Sequence, residues 1–219
     1  MAEDDPTSIN EKLVAAKRQW AREGRLLTGE AAGPGRDRLP PGQRRVDDWP
    51  VLDLGLQPDI ALTDWSLAIT GLVEAPVRWN WGEFMAQPQV TLRSDIHCVT
   101  AWSRYDNEWQ GLSARQVLAV VRPKPEARFV LLRSYDGYTT NLALSHFDDE
   151  DVLLAHRWQG HPIGREHGGP VRMVVPRLYF WKSAKWIRAI AFSDTDQPGY
   201  WEVRGYHNEA DPWQEERYG

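Results

Sequence analysis

The chemistry-bearing residues of this sequence fall into two segments, one around its single cysteine and one in a cationic stretch without acids. Cys98 sits in Asp95-Ile96-His97-Cys98-Val99-Thr100-Ala101-Trp102-Ser103, directly after a predicted strand at Gln89–Leu92. A lone cysteine there can be a small buried hydrophobe, a thiolate nucleophile with a histidine base, or one thiolate ligand to a metal completed by a cofactor. Neighbouring residues of a strand point to opposite faces, so His97 is poorly placed as the base for Cys98. The stretch from His167 to Phe192 carries Arg172, Arg177, Lys182, Lys185 and Arg188 and no Asp or Glu. Such a run is either a solvated basic face or an anion site. Gly168-Gly169 and Ser183-Ala184-Lys185 favour a bound phosphate, because small residues let backbone N–H groups approach it and lysine adds a point charge. Neither a Walker A pattern nor G-x-G-x-x-G is present, so triphosphate and dinucleotide sites have no motif support.

Other polar groups are less specific. Ser134-Tyr135-Asp136-Gly137-Tyr138-Thr139-Thr140-Asn141 reads as a hairpin turn rich in hydroxyls. Pro198 to His207 places Tyr200, Arg204 and Tyr206 in a Gly-containing turn, equally consistent with packing. His156, His161 and His167, five and six residues apart, match no helical zinc pair.

The elements that must position these groups follow from periodicity. Residues 8 to 28 read as a helix, with Ser8 and Glu11 at capping-box spacing and Leu13, Ala16, Trp20 and Leu27 recurring at helical intervals. Residues 29 to 43 turn to Gly, Pro and Arg, a linker or surface-hugging arm. Strands are predicted at Trp65–Thr70, Gln89–Leu92, Arg128–Arg133, Val171–Val175 and Ile187–Phe192. Short helices are predicted at Asn80–Ala86 and Ala114–Val121, and an acid-capped helical turn at Asp148–His156. Strands and helices mix without strict alternation, which gives an α+β domain with a mixed sheet. The expected division is 1–45, helix and arm, and 46–219, the main domain.

Composition sets the outer bounds. The chain has 219 residues, enough for one domain of generous size, and 42% hydrophobic against 26% charged residues is ordinary for a globular protein. Its 26 basic and 31 acidic side chains leave a formal net charge of −5, which argues against a general nucleic-acid binder. One cysteine excludes an intrachain disulfide and any multi-thiolate site built from this chain alone. No signal-peptide apolar run opens the sequence and no stretch reaches the length of a bilayer crossing, so a cytoplasmic location without a membrane span is expected. The 12 tryptophans predict a core or pocket walled by indoles.

Taken together, four segments in this order resemble the sulfite-oxidase-like molybdopterin oxidoreductases: Asp95–Ser103, Ser134–Asn141, Glu166–Pro176 (EHGGPVRMVVP) and Trp181–Trp186 (WKSAKW). The resemblance runs from about Val46 to Trp213 and implies the sulfite-oxidase-type molybdopterin-binding fold. It implies a mononuclear molybdenum on one pyranopterin dithiolene, with Cys98 as the protein's metal ligand and molybdenum cycling between its +6 and +4 states. It implies that His167, Arg172, Ser183, Ala184 and Lys185 bind the cofactor, that Ser134 does so by a weaker match, and that Tyr206 steers protons and substrate near the metal. Sulfite oxidases place a substrate-binding arginine in the loop before the first strands. Here that region is Asp47-Asp48-Trp49-Pro50-Val51-Leu52 and has none, leaving Arg104 as the replacement candidate. The implied activity is oxygen-atom transfer on a small sulfur-type substrate, either sulfite oxidation or S- or N-oxide reduction. With no haem-ligation or flavin motif in the chain, electrons must pass to or from a separate haem, flavin or iron-sulfur protein. A non-catalytic cofactor carrier and a cysteine-dependent hydrolase are the alternatives.

Overall fold

The computed structural model of the protein describes residues 11–22, 30–31 and 38–219. The chain order is α1 (Glu11–Arg22), β1 (Glu30–Ala31), β2 (Arg44–Arg45), β3 (Ser66–Gly71), β4 (Val77–Asn80), α2 (Trp81–Met85), β5 (Gln89–Cys98), β6 (Trp102–Ser113) and α3 (Ala114–Val121). It continues with β7 (Phe129–Ser134), β8 (Thr139–Ala143), α4 (Leu144–Phe147), β9 (Leu153–Trp158), β10 (His161–Pro162), β11 (Arg172–Val174) and β12 (Ile187–Ser193). Ser8 and Leu27, named for the N-terminal helix, lie outside the described residues.

Helices α2 and α3 start where side chains satisfy their first N–H groups. Asn80 and Glu83 make a reciprocal capping box at α2, and Ser113 accepts from the Gln116 N–H at α3. Helix α3 buries Ala114, Val117 and Val121 on one face and stops where Arg122 enters the left-handed region at φ 49°. On α1 the buried positions are Val14 and Lys17.

Two mixed sheets carry the rest. In the first, β5 and β9 flank β6 antiparallel, β2 adds to β6 in parallel, and β10 and β11 pair with β9. In the second the order is β4-β3-β12-β7-β8, with β3 and β12 parallel and the other pairs antiparallel. Inward residues of both sheets, Leu67, Ile69 and Ile190 from one and Leu112, Leu154 and Met173 from the other, share one hydrophobic cluster. This is the α+β architecture with mixed sheets expected from the sequence.

Four strand readings need extending or correcting. Strand β5 runs six residues past Leu92, to Cys98 itself. Strand β6, 12 residues long, was not legible because its ladder slips at Ser94/Ile96 and again at Gln110/Gly111, so its apolar residues keep no strict alternation. The helical turn expected at Asp148–His156 is instead an acidic loop followed by β9. Leu153, Leu154 and Ala155 are buried between β6 and β11, so the run is apolar on both faces and lacks a period-2 signal. Thr139–Asn141, read as part of a turn, open the second strand of the β7–β8 hairpin, Thr139–Ala143.

Gly111 shows how tightly the sheet is drawn at the second slip. A Cβ there would lie 2.1 Å from the Leu154 carbonyl oxygen, well inside van der Waals contact. Gly111→Ala is therefore expected to lower the unfolding free energy by about 1–3 kcal/mol, read from the urea midpoint. An unchanged midpoint contradicts so close a β6–β9 junction.

Candidate functional site

Strands β5 and β6 meet in a three-residue hairpin loop, Val99-Thr100-Ala101, in which Ala101 takes the left-handed φ of 67° such loops require. Cys98 is the last residue before the loop and pairs with Trp102 across it. The thiol is buried, 3.2 Å from Thr100 Oγ1, and faces a cleft of about 130 Å³. Burial pushes the Cys98 thiol up, opposed by hydrogen bonding at Thr100 and by the charges of Lys17 and Arg217. Gln43 Nε2 donates to the Cys98 carbonyl at 3.0 Å. The end of the expected surface arm is thus buried beside the cysteine.

His97 points the other way, as strand alternation required. Its Nδ1 lies 2.8 Å from Ser103 Oγ, and burial lowers its pKa to about 4. Cys98 accordingly has no imidazole base from its neighbour, which removes the geometric support for a cysteine hydrolase.

Opposite the thiol, the cleft wall is cationic. Arg172 is 1% exposed, and its Nε, Nη1 and Nη2 donate to the carbonyls of Met173, His167 and Ser183. Its guanidinium lies over the Phe180 ring at 4.3 Å and the Trp49 ring at 5.2 Å. Burial lowers its pKa to about 9. Lys185 Nζ donates to the Glu166 carbonyl at 2.6 Å, and burial, then Arg172, lowers it to about 7. Among the described residues neither cation has a carboxylate within 4 Å. Asp53 and Asp136, which also line the cleft, act on Lys185 only at longer range, and burial raises Asp136 to about 6.

The other three cations of the acid-free stretch are used elsewhere. Lys182 is buried against Glu202 at 2.8 Å, Arg177 pairs with Asp149 at 2.8 Å, and Arg188 lies over Tyr135. Glu202 also accepts from Trp181 Nε1 at 3.0 Å, so the Lys182–Glu202 pair fixes one aromatic wall of the cleft.

The expected reason for Gly168-Gly169 does not hold. Their N–H groups are spent on the carbonyls of Arg165 and Gly164. Gly168, at φ 101°, is bare because a Cβ would meet Lys185 Cβ at 2.7 Å, and one at Gly169 would meet the Ile163 carbonyl oxygen at 2.1 Å. Gly168 thus seats the lysine and Gly169 packs on the Ile163 backbone, and neither amide is left for an anion.

Of the residues singled out in the sequence, the fold gathers Cys98, Arg172, Ser183, Ala184, Lys185 and Tyr206 at this cleft. Tyr206 is buried between Trp201, stacked at 4.8 Å, and Trp181, edge-on at 4.8 Å, and burial raises its phenol far above the ordinary value. Ser183 holds the backbone: its Oγ accepts from the Val175 N–H at 2.9 Å. His167 and Ser134 sit just behind the wall. His167 stacks on Trp49 at 3.9 Å, and its Nδ1 and the Ser134 Oγ are buried polar atoms without a protein partner. Arg104 is elsewhere: it donates to Asn107 Oδ1 at 2.6 Å and the Asp47 carbonyl at 3.0 Å and lies over Trp158, off the cleft. Lys17, Trp49, Asp53 and Asp136 line the cleft without having been singled out. The first three come from segments too distant in sequence for any spacing to signal them.

Among the described residues no three His, Cys, Asp or Glu side chains gather around one point, so a metal at Cys98 would need its remaining ligands from a cofactor. The donor set fits a molybdenum-pterin: one soft thiolate donor, a buried Arg172 and a half-buried Lys185 with no carboxylate within 4 Å among the described residues, and an unpartnered Trp102 Nε1 in the cleft wall, with His167 Nδ1 and Ser134 Oγ also unpartnered.

Comparison with known proteins decides the family. The profile of the oxidoreductase molybdopterin binding domain matches residues 54–201. The chain belongs to that family. It is 45% identical over 182 residues to the uncharacterized oxidoreductase YuiH of Bacillus subtilis, covering 83% of this chain and 92% of that one. It is 27% identical to the protein-methionine-sulfoxide reductase catalytic subunit MsrP of Ralstonia nicotianae over 68% of this chain, spanning about half (51%) of that relative's length. The sulfane dehydrogenase SoxCD of Paracoccus pantotrophus has the same fold, with a TM-score of 0.59 at 22% identity over 65% of this chain and 41% of that one. The protein is therefore an enzyme of the sulfite-oxidase-like molybdenum oxidoreductases, and the family implies a molybdopterin cofactor. Among the described residues no helix is long and apolar enough to cross a membrane.

A buried thiol without a base is a slow nucleophile. Cofactor-free protein is expected to react at Cys98 with iodoacetamide at pH 7 at least about tenfold more slowly than glutathione does. Because Cys98 is the only cysteine, mass spectrometry reads it directly. A rate equal to that of glutathione contradicts a buried thiol with a raised pKa.

Proposed function

We propose that this enzyme transfers an oxygen atom to or from a small sulfur-type centre, using a molybdenum-pterin held between Cys98 and Arg172, and exchanges electrons with a separate redox protein. One observation carries the reading: two cations without a carboxylate partner, Arg172 and Lys185, face the same cleft as a buried thiol that lacks a base. A buried charge without counter-charge costs several kcal/mol in order of magnitude, and an anionic cofactor removes that cost. When bound, the molybdenum-pterin supplies two-electron oxygen-atom transfer.

The chain's own residues do the rest. Cys98 Sγ would ligate the metal, with the Thr100 hydroxyl 3.2 Å away stabilising the thiolate. Arg172 and Lys185 would hold the pterin's anionic end, and Ser183 and Ala184 keep both cations in place: the Ser183 carbonyl accepts from Arg172, and the Ala184 carbonyl accepts from the Met173 N–H. His167 Nδ1 and Ser134 Oγ would give their free polar atoms to the same group. Trp49, Trp102, Trp181 and Trp201 exclude bulk water from the cleft. Burial raises the Tyr206 phenol above its ordinary value, so in this reading it serves as a hydrogen-bond donor. Arg104, committed to Asn107 and Asp47, has no part in this reading. Similarity to a methionine-sulfoxide reductase subunit supports a sulfur-type substrate.

Protein made in a host that synthesises the cofactor is expected to carry about one pterin per chain, read by fluorescence after oxidation. Arg172→Met and Lys185→Met should each lower that content about tenfold or more, since each removes a charge-assisted contact of about 1.5–3 kcal/mol. Unchanged pterin content in both variants contradicts the anchor assignment.

A further inference from the structure

The family profile begins at residue 54, yet one wall of the cleft is supplied from far upstream of it. Lys17 projects from α1 into the cleft that contains Cys98, and the side chain is buried, with 9% exposure. Among the described residues its Nζ makes no hydrogen bond and no ion pair. The carboxylate that acts on it most, Asp53, lies beyond 4 Å and is already occupied, its two oxygens accepting from the Gly55 N–H at 2.9 Å and Gln57 Nε2 at 2.6 Å. Lys17 is thus a third cation facing the cleft, and one whose charge is felt at Cys98. Arg217, the other cation felt there, is committed: it donates to the Val99 carbonyl and lies over Tyr179 at 5.2 Å.

The position of Lys17 is built rather than incidental. One turn before it, Val14 is 2% exposed and joins the main hydrophobic cluster. One residue after it, the Arg18 carbonyl accepts a 2.8 Å hydrogen bond from the Tyr218 hydroxyl, and Arg22 lies over the Tyr218 ring at 5.8 Å. Tyr218 in turn bridges to Tyr206 by backbone pairing and packs edge-on against it at 5.2 Å. The helix is therefore locked in register to the tyrosine that lines the cleft beside Cys98. Burying a lysine without a partner lowers its pKa, here to about 8, and at neutral pH it is still charged.

We propose that Lys17 binds the substrate, and that the substrate is a small oxyanion. This rests on the molybdenum-pterin reading above, in which Arg172 and Lys185 are taken by the cofactor and Lys17 is the cation left for a second anion. It also accounts for the missing arginine in residues 47–52: the charge is delivered instead by α1, from outside the segment the family profile matches. An ammonium on a helix fastened to the core holds one oxygen of the anion while its central atom faces the metal side of the cleft.

The test uses the loaded enzyme with sulfite and sulfate as probes. Binding is read by quenching of tryptophan fluorescence, since Trp102, Trp181 and Trp201 line the cleft, and pterin and molybdenum contents are measured on the same samples. Lys17→Met is expected to weaken the dissociation constant of both anions at least about tenfold, Lys17→Arg to restore most of it, and both variants to keep the pterin and molybdenum of the wild type. Equal anion affinity in Lys17→Met, or no measurable binding to wild type, overturns the proposal. Loss of pterin from Lys17→Met and its recovery in Lys17→Arg overturns it as well, because Lys17 is then a cofactor anchor. A wild-type protein without molybdenum would instead sink the reading of the site itself.

Discussion

A guanidinium sealed from water must find its hydrogen bonds and its counter-charge inside the protein, and Arg172 finds only the first. Three backbone carbonyls, from Met173, His167 and Ser183, fix its plane and tie β11 to the loops on either side. No carboxylate of the described residues reaches it, and aromatic faces at Trp49 and Phe180 cover it. An arrangement of this kind is costly in an empty protein and sensible in one that holds an anion. Much of the architecture around the cleft serves it: the bare Gly168 that seats Lys185, the Lys182–Glu202 pair that fixes Trp181, and the hairpin tip that turns Cys98 inward.

The sequence made some of this legible and hid the rest for physical reasons. Helix α3 was readable to the residue because Ser113 caps it and its buried residues keep helical spacing. Cys98 and the cationic segment stood out because their residue types are chemically rare in that combination. Strands β6 and β9 were hidden, one by two register slips and the other by burial on both faces, and both losses are losses of periodicity. Charge accounting failed for a different reason. An acid-free stretch suggested five free cations, but pairing is set by the fold, and Glu202 and Asp149 reach back to Lys182 and Arg177. Only the resemblance to a family, not composition or spacing, linked the cysteine to the cations before the structure showed them in one cleft.

The N-terminal region adds to the site from outside the segment the family profile matches. Residues 54–201 match the family profile, while α1 and Gln43 come from outside it and both reach the cysteine's surroundings. A cofactor-binding module closed by a segment from outside it is a simple way for one fold to take different substrates.

The central claim is that Cys98 is the protein's ligand to the metal, and X-ray absorption at the molybdenum edge tests it most directly. Loaded wild type and Cys98→Ser, compared under identical conditions, should differ by the loss of one sulfur neighbour at molybdenum while the pterin remains bound. An identical sulfur shell in the two proteins would contradict the claim and return Cys98 to the role of a small buried side chain.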